Sequence, residues 1–188
     1  MTPRLTALAL PALSSLCLLP ASGQTCSFGA GQTITAAGGV SFTSVFATDL
    51  DGDGDSDVLS TSSGDFRIAW YENQGGGVFG PQQVVTADLD ARSSIHTADL
   101  DGDGDEDVLC SSLSGQAVEW YENLGAGSFG APQVISTEVD HPSSVFAADL
   151  DGDGDADVLS ASYWDDKVAW YENLGAGTFG PQRVIPGL

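Results

Sequence analysis

The sequence predicts an all-β chain of β-propeller-type blades: three four-stranded antiparallel repeats of 50 residues, forming a partial ring or one completed by oligomerisation. The first supporting observation is repetition without slippage. Asp49-Leu50-Asp51-Gly52-Asp53-Gly54-Asp55 returns at Asp99 to Asp105 and at Asp149 to Asp155. Asp57-Val58-Leu59, Trp70-Tyr71-Glu72-Asn73 and Phe79-Gly80 return in the same register. The second is composition: 24 Gly and 8 Pro beside only 5 Lys plus Arg favour short strands and turns over helix surfaces.

Each repeat divides into four strands. In the first, Ser44 to Thr48 is short and β-prone and runs into the aspartate-rich loop; Val58 to Thr61 follows, and Ser63-Gly64-Asp65 turns the chain. Ile68 to Glu72 is the third strand, Gln74-Gly75-Gly76-Gly77 the next turn, and Val78 to Val85 the fourth, with Pro81 marking it as an edge. The third strand is apolar on both faces, so the sheet is expected to be covered on both sides, as stacked blades provide. A linear β-solenoid fits less well, because its coils are shorter and its strands parallel. Closed propellers typically have four to eight blades, and this chain supplies three.

The domain reading follows the repeats. Residues 1–23 read as a cleaved signal peptide: Arg4, then an apolar Leu5 to Leu19, then small residues at Ala21 and Gly23. The apolar run is shorter than the roughly 20 residues that span a bilayer, and Pro11 interrupts it. Residues 24–43 read as a partial blade strand, 44–93 as blade 1, 94–143 as blade 2 and 144–188 as blade 3. The expected location is secreted, extracellular or on the cell surface. Cys26 and Cys110 remain after cleavage, and Cys110 takes the position of Ser60 and Ser160, so it reads as a small buried strand residue.

Charge excludes one class of partner. With 27 acidic against 5 basic residues and a net charge of −22, the chain cannot build the Lys/Arg surface that nucleic acid requires. Sixteen of the 27 acids lie in the three repeated loops, so the question becomes what those loops hold.

Counted from Asp49, carboxylates fall at loop positions 1, 3, 5, 7 and 9, with Gly54 at position 6. Alternating carboxylates around a sharply turning glycine wrap oxygen ligands about Ca²⁺. Asp49, Asp51, Asp53 and Asp57 are expected to bind through side chains and Asp55 through its carbonyl. Without a cation, each close carboxylate pair costs on the order of 4 kcal/mol at an effective dielectric of about 20. An all-oxygen donor set disfavours zinc, and the many carboxylates on a flexible loop favour calcium over magnesium. An EF-hand is excluded, because it needs a bidentate Glu at position 12, where Ser60, Cys110 and Ser160 stand.

The pattern Asp49-x-Asp51-Gly52-Asp53-Gly54-x-x-Asp57 together with Phe79-Gly80-Pro81 resembles the calcium-binding FG-GAP repeat, also called VCBS-like, of integrin α-subunit propellers and many secreted bacterial proteins. The resemblance covers residues 44–188. It implies a loop joining the first two strands of each blade, rigidified by calcium, with about three ions in all. The implied ligands are Asp49, Asp51, Asp53, Asp55 and Asp57; Asp99, Asp101, Asp103, Asp105 and Asp107; and Asp149, Asp151, Asp153, Asp155 and Asp157.

Other chemistry is sparse. Trp70, Trp120 and Trp170 lie mid-strand and read as packing residues. Tyr163 and Trp164 lie in a turn, without aromatic counterparts in the other repeats, and are the candidates for ligand contact. His96 occupies the slot of Phe46 and Phe146, whereas His141 precedes Pro142 in an inter-blade loop. No Gly-x-Ser-x-Gly elbow, Cys/His pair or phosphate-binding glycine loop is present, so no enzyme is expected. The functional expectation is a secreted calcium-binding module for adhesion or macromolecular recognition, its ligand a protein or a glycan. A lectin-like propeller and a structural fragment of a larger propeller are the alternatives, and a homodimer completing six blades is the expected assembly.

Overall fold

The computed structural model describes residues 30–35, 41–87, 94–113 and 115–186. Three four-stranded antiparallel sheets occupy Thr33 to the C-terminal region, and no helix occurs among the described residues. The first sheet runs β1 (Phe42–Thr48), β2 (Asp57–Ser62), β3 (Arg67–Tyr71) and β4 (Gln83–Thr86). The second runs β5 (Ile95–Ala98), β6 (Asp107–Ser112), β7 (Ala117–Tyr121) and β8 (Gln133–Ser136). The third runs β9 (Pro142–Ala148), β10 (Asp157–Ser162), β11 (Lys167–Tyr171) and β12 (Arg183–Val184). Strand order within every sheet follows chain order, so each repeat is a meander.

The fourth strand is shorter than its sequence suggests. Val78 to Gln82 does not join it: Phe79 makes an isolated bridge to Asn73, and Gly80 N–H donates to the Glu72 carbonyl at 2.8 Å. Pro81 then has no N–H to offer a ladder, and regular pairing resumes only at Gln83, opposite Trp70. The first strand is longer than expected, starting at Phe42 opposite Ser62. Residues 30–35 carry no strand. The signal-peptide segment, Cys26 and the stretch to Gly29 lie outside the described residues.

Sheets stack face to face through two cores. Leu50, Leu59, Ile68 and Trp70 of the first sheet meet Ile95, Val108, Cys110 and Tyr121 of the second. Leu100, Leu109, Val118 and Trp120 of the second meet Val145, Val158, Ala169 and Tyr171 of the third. The middle sheet is thereby covered on both sides, whereas each outer sheet keeps one face outside a core, and the three sheets do not close into a ring. Trp70 and Trp120 are buried as expected, but Trp170 is only half-buried because no fourth sheet follows it among the described residues. Cys110 is a buried free thiol, and its burial pushes the thiol pKa up.

The first strands of the sheets lie side by side, with β5 between β1 and β9. There His96 stands between Phe46, at 4.8 Å between ring centroids, and Phe146, at 4.3 Å. It is a packing ring in an aromatic row. Burial holds its pKa below the usual 6.5. The folded chain therefore stays neutral here at pH values where the unfolded chain takes up a proton, and stability falls as pH drops below about 6.5. His96→Phe should raise the melting temperature at pH 5 relative to wild type and change it less at pH 8. An equal shift at both pH values would remove the titration from the account.

Candidate functional site

Each aspartate loop is curled by two glycines and tied by its first carboxylate. Gly52 and Gly54 have φ of 79° and 94°, a left-handed backbone that glycine adopts without a Cβ clash. Asp49 accepts from Gly52 N–H at 2.8 Å and Asp53 N–H at 3.1 Å on one oxygen, and from Gly54 N–H at 2.9 Å on the other. Asp51 Oδ1 accepts from Asp53 N–H, and Asp53 Oδ1 accepts from Asp55 N–H. Asp99 repeats all three bonds, and Asp149 repeats those from Gly152 and Gly154.

The ninth-position aspartates do something the sequence did not announce. Asp57, Asp107 and Asp157 are wholly buried. Asp57 Oδ2 accepts from Leu50 N–H at 2.9 Å and Oδ1 from Asn73 N–H at 2.8 Å, bridging the loop to the end of β3. Asp107 bridges Leu100 and Asn123, and Asp157 bridges Leu150 and Asn173, at 2.8 to 3.0 Å. Burial, opposed by those two N–H donors, pushes the Asp107 carboxyl up to about 7, and the charges of Asp101 and Asp103 act in the same direction as burial. Desolvation likewise raises Asp51, Asp101 and Asp151, with neighbouring carboxylates adding to it.

Carboxylate oxygens converge in all three loops. Asp49, Asp51 and Asp53 bring one oxygen each within 4.8 Å of the others, as do Asp99, Asp101 and Asp107, and Asp149, Asp151 and Asp157. Two oxygens bound to one Ca²⁺ at about 2.3–2.6 Å lie no more than about 5 Å apart, so the clusters fit that ion. Asp57 stands outside the cluster in the first loop, and Asp103 and Asp153 stand outside theirs. Asp55, Asp105 and Asp155 are also outside, and their carboxylates turn towards Gly75, Gly125 and Gly175. A bound cation would offset the repulsion among these groups and fix the loop.

At the opposite ends of the sheets lies a cleft of about 820 Å³. The loops follow the last residues of β1, β5 and β9, whereas the cleft gathers Thr43, Ser44, Ser94 and Ser143 near the starts of those strands, with Leu113, His141, Tyr163 and Trp164. Tyr163 and Trp164 are exposed. Trp164 stacks on His141 with 3.3 Å between ring centroids, and Trp164 N–H donates to the Asp140 carbonyl at 3.3 Å. Asp165 braces the turn, accepting from Asp140 N–H at 3.2 Å and from Lys167 Nζ at 3.0 Å. Burial works against the charge on Asp165, yet the Lys167 contacts prevail and lower its pKa. The sequence marked Tyr163 and Trp164 but not His141, because only the fold brings residues 141 and 164 together.

Comparison with curated proteins finds no match. Among solved structures, the chain is similar to one described as the structural basis of specific recognition of non-reducing terminal N-acetylglucosamine by a lectin of Agrocybe aegerita, at 28% identity and a TM-score of 0.57. The likeness covers 74% of this chain and 37% of that one, so the matched part spans little more than a third of the lectin's length. A model of the FG-GAP-like repeat matches residues 49–110, 99–160 and 149–187, every match beginning on the first aspartate of a loop. By its repeats, its loops and its meander sheets, the chain belongs to the FG-GAP-like repeat family.

Proposed function

We propose that this protein is a secreted, calcium-binding recognition module, a binder rather than an enzyme, that contacts an extracellular macromolecule through the cleft lined by His141, Tyr163 and Trp164. The observation that carries the reading is the separation of two features. Metal-competent loops occupy one end of the sheets, and an aromatic-edged cleft occupies the other. Calcium in this reading stiffens the blades that hold the cleft and takes no part in contact. Adhesion is the biological role that such a module would serve.

A glycan is the favoured ligand class. Trp164 offers an exposed ring already held flat against His141, and the hydroxyls of Thr43, Ser44, Ser94 and Ser143 line the same cleft. An apolar platform beside hydrogen-bonding groups suits a sugar ring, and the structural neighbour is described as recognising a terminal sugar. Binding of calcium-loaded protein to immobilised glycans should weaken about tenfold or more in Trp164→Ala, equivalent to about 1.4 kcal/mol or more. Glycan binding that survives this substitution unchanged would remove the cleft from the reading. Adhesion to a protein ligand with no glycan signal would retain the recognition role and overturn the sugar.

A further inference from the structure

The cleft is built by all three sheets rather than by one repeat. Thr43 and Ser44 come from the start of β1, Ser94 precedes β5 and Leu113 follows β6, and Ser143 lies near the start of β9 beside His141, Tyr163 and Trp164. Two joints between sheets therefore run through it, and both are locked. Asn123 Nδ2 donates to the Leu50 carbonyl and Asn173 Nδ2 to the Leu100 carbonyl, both at 2.8 Å and across 73 residues of chain. In the other direction Trp70 lies so close to Gly127, and Trp120 to Gly177, that a Cβ on either glycine would come within 3.0 Å of the indole. At the cleft itself Val145 N–H of β9 donates to Ser94 Oγ at 3.4 Å, tying the second sheet to the third. A ligand that spans the cleft thus meets a preformed surface, which lowers the cost of ordering it.

The chemistry changes from one end of the cleft to the other. One turn position holds Tyr163 in the third repeat, Leu113 in the second and Ser63 in the first, and Trp164 has Ser114 and Gly64 as its counterparts. The third sheet therefore offers an aromatic platform, the second an aliphatic side chain, and the first the hydroxyls of Thr43 and Ser44. Ser143 Oγ donates to the Ala161 carbonyl at 3.2 Å and keeps lone pairs to accept, whereas Ser94 Oγ accepts from Val145 N–H and keeps its proton to donate. Donors and acceptors spaced along a cleft match the hydroxyls of successive sugar units, each of which can be either. At about 820 Å³ the cleft stands near the top of the roughly 300–1,000 Å³ range of small-molecule sites, more room than one sugar ring on Trp164 fills. No lysine or arginine is among the described residues that line it, and Asp140 and Asp165 brace its aromatic end, which favours an uncharged ligand.

We infer that the cleft takes an uncharged linear oligosaccharide of several units, anchored by one unit on Trp164 and extended past Ser94 to Thr43 and Ser44. Length and direction are thereby added to the glycan reading proposed above, on which they rest. Trp164 supplies stacking at one end, and the hydroxyls of the first sheet supply hydrogen bonds at the other. A single unit on the platform leaves the far end empty. Three repeats thus serve one ligand, each sheet meeting a different part of it.

Calorimetric titration of the calcium-loaded protein tests this with homo-oligosaccharides of hexoses, of N-acetylhexosamines and of uronic acids, each series at one to six units. In the series that binds best, affinity should rise about tenfold or more from one unit to several and level off once the cleft is filled. The uronic acids should bind worst, and Trp164→Ala should weaken every length. Thr43→Val combined with Ser44→Val should weaken the longer members about two- to tenfold for each hydrogen bond lost, and the single unit far less. Where the double variant loses its strand signal in circular dichroism, Ser44→Ala carries the same comparison. Affinity independent of length, with Trp164 still required, would overturn the inference and leave a single-sugar site. So would a far-end variant that binds long and short members as wild type does, or that loses both alike. Tightest binding by the uronic acids would overturn the uncharged ligand. Binding to no series, or binding indifferent to Trp164→Ala, would remove the glycan reading itself.

Discussion

Saturating calcium is expected to raise the melting temperature by roughly 15–30 °C over protein held in chelator. A ligand present at a hundredfold its dissociation constant stabilises the fold by about 2.7 kcal/mol per site, and a chain of this size gains about 2–4 °C per kcal/mol. Three loops with converging carboxylates supply three such sites. The effect is large because the metal-free state carries stress that the ion removes. Asp101, Asp103 and Asp107 repel one another, and the Asp107 carboxyl is already driven up to about 7 by burial. Sodium chloride should reproduce only a small part of the shift, since screening weakens repulsion but coordinates nothing. Magnesium should do less than calcium, because it demands tight octahedral geometry and gives up water reluctantly. Asp99→Asn should remove about a third of the increment, read against the variant's own chelated melt, because its amide nitrogen cannot accept the N–H bond that one Asp99 oxygen takes from Gly104. A melt indifferent to calcium would reject metal binding by the loops.

The second large effect concerns the glycines beneath the tryptophans. Gly127→Ala should lower stability by about 3 kcal/mol, combining overpacking of about 1–3 kcal/mol with a left-handed backbone cost of about 1–2 kcal/mol. Gly127 has φ of 66°, and the indole of buried Trp70 cannot swing away from a new methyl without disturbing the core shared by the first two sheets. Gly177→Ala should behave alike against Trp120. Gly76→Ala is the control. Its φ is 64°, nothing stands within 4 Å of the new Cβ, and Ala126 and Ala176 already occupy the equivalent places. Gly127→Ala and Gly177→Ala should therefore melt below Gly76→Ala by the overpacking cost alone, about 2–12 °C for about 1–3 kcal/mol at about 2–4 °C per kcal/mol. Equal losses in Gly76→Ala and Gly127→Ala would mean that backbone strain, not the tryptophan, sets the cost.

What the sequence made legible was whatever recurs locally. The 50-residue period, the four strands, the curled aspartate loops and the turn that presents Trp164 all follow from residues close together in the chain. What it hid was whatever crosses from one repeat to another. Asn123 looked like a residue entering a glycine turn, and its bond to Leu50 lies one repeat and a half away, where no local pattern reaches. Asp57 read only as a ligand, although both its oxygens receive backbone N–H groups in a buried setting. Val78 looked like the start of the fourth strand, but the bridge from Phe79 to Asn73 closes the turn first. His141 gave no signal, because its partner Trp164 exists in only one repeat.

The crossing asparagine and tryptophan also bear on how such a chain can grow. Each repeat carries an amide for the carbonyl behind it, a carbonyl for the amide ahead, an indole to give and a glycine to receive. Duplicating one 50-residue unit in the gene therefore inserts a blade whose two new joints are copies of old ones, with no contact left to invent. Blade number in this architecture is a matter of copy count, and a change in ring size requires no new recognition chemistry at the seams.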